Sequence, residues 1–313
     1  MDVVFLFPGQ GSQKPGMGQD LAAAFPASES VFAVADETLG RPLSRLCFEG
    51  PAEELTLTAN AQPALLTHSA AVLAALGPDV CARARAAAGH SLGELSAYYA
   101  AGSLSLAGAV GLVEARGRFM QQAGASRAGS MAAILGNPDI PLDALCVEAS
   151  RATEGIVVAA NYNHPEQTVV SGDAAAVDCL IGLAKQHGAK HAMKLRVSGA
   201  FHSSLMEPAT EGFRRALSAL TVARPSIPVY ANVTATPVTD ATVVAELLVR
   251  QLTAPVRWVD TIQHMAAAYP SAVFLEVGAG AVLTGLVKKI SPELRTATCG
   301  TVAEVEHVRG LIP

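Results

Sequence analysis

The spacing of hydrophobic and polar positions changes rhythm twice along this chain of 313 residues. Val3-Val4-Phe5-Leu6-Phe7 is an unbroken apolar run, the pattern of a strand buried on both faces of a parallel sheet. Pro8 to Gln13 form a loop behind it, and helical spacing recurs around 62–76 and 104–123, giving the strand and helix alternation of an α/β layer. From about residue 128 the period shortens. The order becomes strand (Met131 to Leu135), helix (Pro141 to Thr153), strand (Ile156 to Asn161), strand (Gln167 to Ser171), helix (Ala174 to His187) and strand (Lys190 to Val197). The turn-like cluster Asn163-His164-Pro165-Glu166 predicts that the two middle strands pair as a hairpin in a small ferredoxin-like βαββαβ sheet. The larger layer resumes near 198, with apolar strands at Pro228 to Asn232 and Ala272 to Val277. The expected class is therefore α/β: a parallel-sheet domain made of 1–127 and 198–313, interrupted by a subdomain at 128–197. A cleft between the two is the default ligand site.

Within the larger layer, Gly89-His90-Ser91-Leu92-Gly93 has the Gly-x-Ser-x-Gly form that sets a serine on a sharp strand-to-helix turn with its hydroxyl exposed. A helix is expected directly after it, its N-terminus favouring negative charge at the serine. The stretch ahead of the turn, Cys81-Ala-Arg-Ala-Arg-Ala-Ala-Ala, is poor in β-branched residues for a central strand. Ser91 needs a base, and among eight histidines His202 stands out. It lies in Ser198-Gly-Ala-Phe-His-Ser-Ser, where the chain re-enters the larger domain across the inferred cleft. The alternative for His202 is a structural role capping the next helix.

A second signal is Arg116. Leu112, Val113, Phe119 and Met120 are its helical neighbours, so its guanidinium lies on the core-facing stripe. Arg118 serves as a control, with Glu114 one turn before it and glutamines after. A guanidinium stays ionised, and its burial calls for a partner: an internal acid or a carboxylate brought by the substrate.

Composition narrows the classes. Half the residues are hydrophobic and 16% charged, with no unbroken apolar run near the roughly 18 residues that span a bilayer. Asp2 stands where a signal peptide has a base and Pro8 ends the first apolar run, so a cytoplasmic protein off the membrane is expected. The five cysteines are scattered without a C-x-x-C pair, which argues against a disulfide framework or a metal site. A net charge of −5 argues against nucleic acid as the main ligand. The one basic stretch contains Lys185, Lys190, Lys194 and Arg196, and reads as a solvated edge or as a docking surface for an acidic partner.

Taken together, FPGQGSQ at 7–13, GHSLGE at 89–94, RGRFM at 116–120, NYN at 161–163, GAFHSSLM at 199–206 and QL at 251–252 resemble the malonyl-CoA:acyl carrier protein transacylases over nearly the whole chain. The resemblance implies an α/β-hydrolase-like domain carrying a ferredoxin-like subdomain. It implies that Ser91 attacks the malonyl thioester while His202 takes its proton, and that the phosphopantetheine thiol of acyl carrier protein then removes the acyl group in a ping-pong cycle. The oxyanion would meet the backbone N–H groups of Gln10 and Leu92. Arg116 would pair with the malonyl carboxylate, Gln251 joining it in the substrate-binding set, and a backbone carbonyl near Gln251 would orient His202. No acid is then needed as a third member, and Asp240 and Asp260 are not nominated. Phe201 would crowd an α-methyl group. The resemblance further implies a free-standing enzyme of type II fatty-acid synthesis, a monomer that works without a cofactor. A serine thioesterase, a malonyltransferase of a polyketide synthase or malonate decarboxylase, and a non-catalytic synthase subunit remain the competing readings. Gly278-Ala-Gly280 imitates a dinucleotide loop, although Leu283 stands at its third glycine.

Overall fold

The computed structural model describes residues 1–312. Its strands are, in chain order, β1 (Val3–Phe7), β2 (Ala84–Gly89), β3 (Gly129–Leu135), β4 (Val157–His164) and β5 (Gln167–Asp173). There follow β6 (His191–Lys194), β7 (Val229–Tyr230), β8 (Pro237–Val238), β9 (Val273–Val277) and β10 (Arg295–Cys299). One sheet has the order β10-β9-β1-β2-β7-β8 and is parallel apart from the β7–β8 pair. The run at 3–7 sits inside this sheet because both its faces are covered. Val3, Phe5 and Phe7 join one core cluster, Val4 and Leu6 the other.

The alanine-rich stretch is a central strand after all. β2 lies between β1 and β7, and its small side chains leave room for bulk from the covering layers: buried Tyr98 on one face, buried Trp258 on the other. Burial from both sides outweighs the weak strand preference of alanine.

The second sheet has the order β4-β5-β3-β6 and is antiparallel throughout. Its elements follow in the order strand, helix (Leu142–Thr153), strand, strand, helix (Ala174–Gln186), strand. The pleat divides its side chains between two jobs. Ala132, Ile134 and Val170 pack on Leu145, Val177 and Leu180 of the two helices, while Met131, Ala133 and Val169 face the core of the larger layer. Two boundaries differ by three residues from the sequence reading, the others by two at most. β4 runs on to His164, whose Nδ1 accepts the Glu166 N–H at 3.2 Å, so the turn contracts to two residues. β6 stops at Lys194 because Val197 N–H turns back onto Leu195 O, ending the extended run early.

The longest helix, Thr58–Cys81, has a mean hydropathy of 1.4 over its most apolar window, enough by length and composition to cross a membrane. It does not follow from any single unbroken apolar run, since Thr67, His68 and Ser69 interrupt it. Here 72% of that window is buried inside the protein, and the helix breaks at Gly77 (φ 80°). It forms the centre of the larger core.

The two layers are stitched where β4 meets Val256: Tyr162 N–H donates to Val256 O at 2.9 Å and Val256 N–H to Ala160 O at 2.8 Å. The C-terminal ends of β1 and β2 converge on the serine turn. A Cβ on Gly93 would stand 2.1 Å from Phe7 O, and one on Gly89 would stand 1.8 Å from the carbonyl carbon of Gly93. Gly89→Ala is therefore expected to cost about 3 kcal/mol or more in urea denaturation. Gly182→Ala, on an exposed helix position with open space around it, is expected to gain about 0.5–1 kcal/mol. Equal stability of the two variants would contradict this account of the turn.

Candidate active site

Ser91 sits between β2 and the Gly93–Ala100 helix at φ 52°, a left-handed conformation that few side chains adopt. The turn is braced by Asn232, whose Oδ1 accepts the Ser91 N–H at 2.7 Å while its Nδ2 donates to Gly89 O at 2.7 Å. His202, also left-handed at φ 58°, brings Nε2 to 2.8 Å from Ser91 Oγ. Its Nδ1 lies 2.9 Å from Gln251 O and 3.1 Å from Ala254 O. Carbonyl oxygens only accept, so Nδ1 carries the hydrogen and Nε2 is left bare toward the serine hydroxyl. Burial and the adjacent Arg116 charge lower the His202 pKa to about 3, against the pull of the two carbonyls. The imidazole is therefore neutral, with Nε2 unprotonated against the serine hydroxyl. Asp240 caps a helix at Thr242 and Asp260 pairs with Arg257 at 2.7 Å, so neither acid serves the imidazole.

Arg116 is 1% exposed and projects from the Leu106–Ser126 helix into the same place. One terminal nitrogen donates to Gln62 Oε1 at 2.8 Å. The other donates to Gln251 Oε1 at 2.7 Å and to Ser91 Oγ at 3.2 Å. Its partners are neutral oxygens. The buried acid sits one residue further: Gln251 Nε2 donates to Glu94 Oε2 at 2.6 Å. Burial raises the Glu94 pKa to about 7 and lowers that of Arg116 to about 10, each charge partly restoring the other. Arg118, by contrast, is exposed and lies over the Phe119 ring.

A cavity of about 250 Å³ opens between the two layers and is lined by Gln10, Leu92, Ser91, Arg116, Phe201 and His202, with Met131 and Val169 from the smaller sheet. Gln251 is not among its lining residues. Fully buried, it spends its side chain on Arg116, Glu94 and Ser91 O, and so stands behind the pocket wall rather than against a ligand. The basic stretch divides: Lys190 and Lys194 pair with Glu166 and Asp178, whereas Arg196 reaches the cavity. A groove of about 500 Å³ near the start of β2 holds none of these groups. The loop at Gly278 offers no phosphate site, since the Glu276 carboxylate already accepts the Leu283 and Thr284 N–H groups of the following helix.

The sequence reading missed Glu94, Gln62 and Asn232. Glu94 carried the same signal as Arg116, a charge among apolar helical neighbours (Leu95, Ala97, Tyr98). Gln62 lay in a similar apolar stretch, and Asn232 had no local signal.

A serine hydroxyl held by a neutral imidazole, beside a buried guanidinium at the end of a parallel sheet, is the equipment of serine-dependent acyl transfer. Residues 4–306 match the family described as Acyl transferase domain, and the chain belongs to that family. It is 46% identical to the malonyl CoA-acyl carrier protein transacylase of Bacillus subtilis over 97% of this chain and 95% of that protein. Its fold is similar to the crystal structure of the acyl-carrier-protein S-malonyltransferase from Bartonella henselae, with a TM-score of 0.94, 42% identity and coverage of 100% and 99% of the two chains. It is also similar, at TM-score 0.91 and 37% identity over 99% of this chain and 100% of the other, to a malonyl-transacylase solved in complex with a type II polyketide synthase acyl-carrier protein.

The depressed pKa of His202 fixes the sign of a pH prediction: protonation waits until the pH falls to about 3. Nitrogen NMR of the labelled ring is expected to report neutral imidazole at about pH 5, where a free histidine is mostly protonated. A charged ring at that pH would contradict the burial argument.

Proposed function

We propose that this protein transfers a malonyl group from malonyl-CoA to the phosphopantetheine thiol of an acyl carrier protein through a malonyl ester on Ser91. As Ser91 Oγ attacks the thioester carbonyl, its proton passes to His202 Nε2. The carbon–sulfur bond then breaks, and the proton leaves with the CoA thiol. In the second half the carrier thiol gives its proton to His202 and attacks the ester, and as the ester C–O bond breaks His202 returns that proton to Ser91 Oγ. The N–H groups of Gln10 and Leu92 take the oxyanion in both halves. The division into a catalytic domain at 1–127 and 198–313 and a ferredoxin-like subdomain at 128–197 belongs to this reading. It is supported by the separate sheet and separate helix-facing core of 129–194. The five free cysteines fit a cytoplasmic, reducing setting.

One observation carries the proposal: the Arg116 guanidinium lies 3.2 Å from the very hydroxyl that His202 engages. In malonyl the carboxylate carbon is only two bonds beyond the reacting carbonyl carbon, so a cation beside the nucleophile is the natural partner for it. After Gln62 and Gln251 each take one hydrogen, one terminal nitrogen of Arg116 keeps one more and the other turns its second to Ser91 Oγ, which acylation of the serine would free, giving a fork for two carboxylate oxygens. Hydrolysis would use the same serine and imidazole but gives no reason to enclose a cation there. Phe201, lining the cavity next to His202, favours an unbranched malonyl chain.

Ser91→Ala is expected to abolish the covalent malonyl adduct seen by mass spectrometry of the intact protein, and an adduct that persists would overturn the nucleophile. Arg116→Ala should lower the kcat/KM preference for malonyl-CoA over acetyl-CoA by about 10- to 150-fold, the worth of one charge-assisted hydrogen bond. Unchanged preference would remove the carboxylate from the account. Release of the malonyl ester should depend on holo acyl carrier protein, whereas equal release to water would favour a thioesterase.

A further inference from the structure

Glu94 is the buried acid that this reaction scheme leaves without a task. It is fully buried, three residues after Ser91 on the Gly93–Ala100 helix. A single oxygen, Oε2, accepts two hydrogen bonds, from Gln251 Nε2 at 2.6 Å and from the Asn232 backbone N–H at 3.0 Å. Each donor residue grips the site with its other atoms. Asn232 holds the Ser91 turn through Ser91 N–H and Gly89 O. Gln251 accepts Arg116 on Oε1, donates to Ser91 O at 2.9 Å, and takes the His202 Nδ1–H on its backbone carbonyl.

We infer that Glu94 is a positioning residue whose Oε2 ties the Asn232 and Gln251 arms into one frame, fixing Ser91, His202 and Arg116 relative to one another. Glu94 Oε2 accepts from the Asn232 N–H as well, so the Gln251 amide turns its NH₂ toward Glu94 and leaves its oxygen for Arg116. Without that acceptor the amide is free to reverse, which would set a donor against the guanidinium. Fold stability alone gives little reason for the residue, because an apolar side chain of similar size costs less to bury than a charge. The inference rests on the reading in which Arg116 receives the malonyl carboxylate.

The test uses Glu94→Ala and Glu94→Gln, with rates normalised to the serines that can be malonylated exhaustively. In Glu94→Ala the acylation rate per competent site should fall about 100-fold, and the malonyl-over-acetyl preference at least about tenfold, as expected when both arms lose their anchor. Glu94→Gln keeps an oxygen for both donors and should restore both values to within about threefold of the parent. If Glu94→Ala does not fold, Glu94→Met fills the space without offering an acceptor. Loss of competent sites with unchanged per-site rate and preference would mean a purely structural residue and overturn the inference, as would a Glu94→Gln protein as impaired as the apolar variants. Arg116→Ala measured alongside separates the two readings. If preference is unchanged there, the carboxylate reading fails, and Glu94 stands or falls on its per-site acylation rate.

Discussion

A guanidinium cannot give up its charge at neutral pH, and Arg116 is enclosed with only amide and hydroxyl oxygens in contact. That constraint organises the rest of the site. The charge helps hold His202 neutral, which leaves its Nε2 free for the serine proton. It also keeps a buried acid nearby, with Gln251 inserted between them so that the two charges do not close into an ion pair. Had Glu94 touched Arg116 directly, the fork would already be filled. The inserted amide keeps any protein carboxylate off the cation while its counter-charge stays close.

The sheet supplies the geometry this requires. Ser91 projects from the end of β2 on a turn that glycine alone permits at two points, since Gly89 and Gly93 press against backbone at about 2 Å from where a Cβ would stand. His202 arrives from the loop behind the smaller sheet, and Arg116 from a helix packed on the long apolar one. The cavity therefore lies between the two layers, with Met131 and Val169 on one wall and the serine turn on the other. Under the proposed function this seam admits a thioester arm while the acyl end is held in the larger layer.

Much of this was legible before any coordinates. The order of strands and helices in 129–194 follows from turn residues and period changes, which act locally. Ser91, His202 and Arg116 each carried a signal, and they converge. β2 was less legible because alanine says little about strands, and its burial is decided by Tyr98 on the next helix and by Trp258, which sits far away in sequence. Gln251 was read as touching substrate. A glutamine in an apolar helix looks the same from sequence whether it faces a ligand or braces an arginine, and only the packing tells the two apart. Asn232 braces the serine from 141 residues away with no motif of its own.

The central claim is that the serine and the enclosed guanidinium serve one substrate. A crystal structure of the protein carrying the malonyl ester on Ser91 tests it most directly. The account predicts the free carboxylate on both terminal nitrogens of Arg116, with Gln62 and Gln251 still bound to them. A carboxylate pointing to solvent, with Arg116 unmoved and unshared, would contradict it.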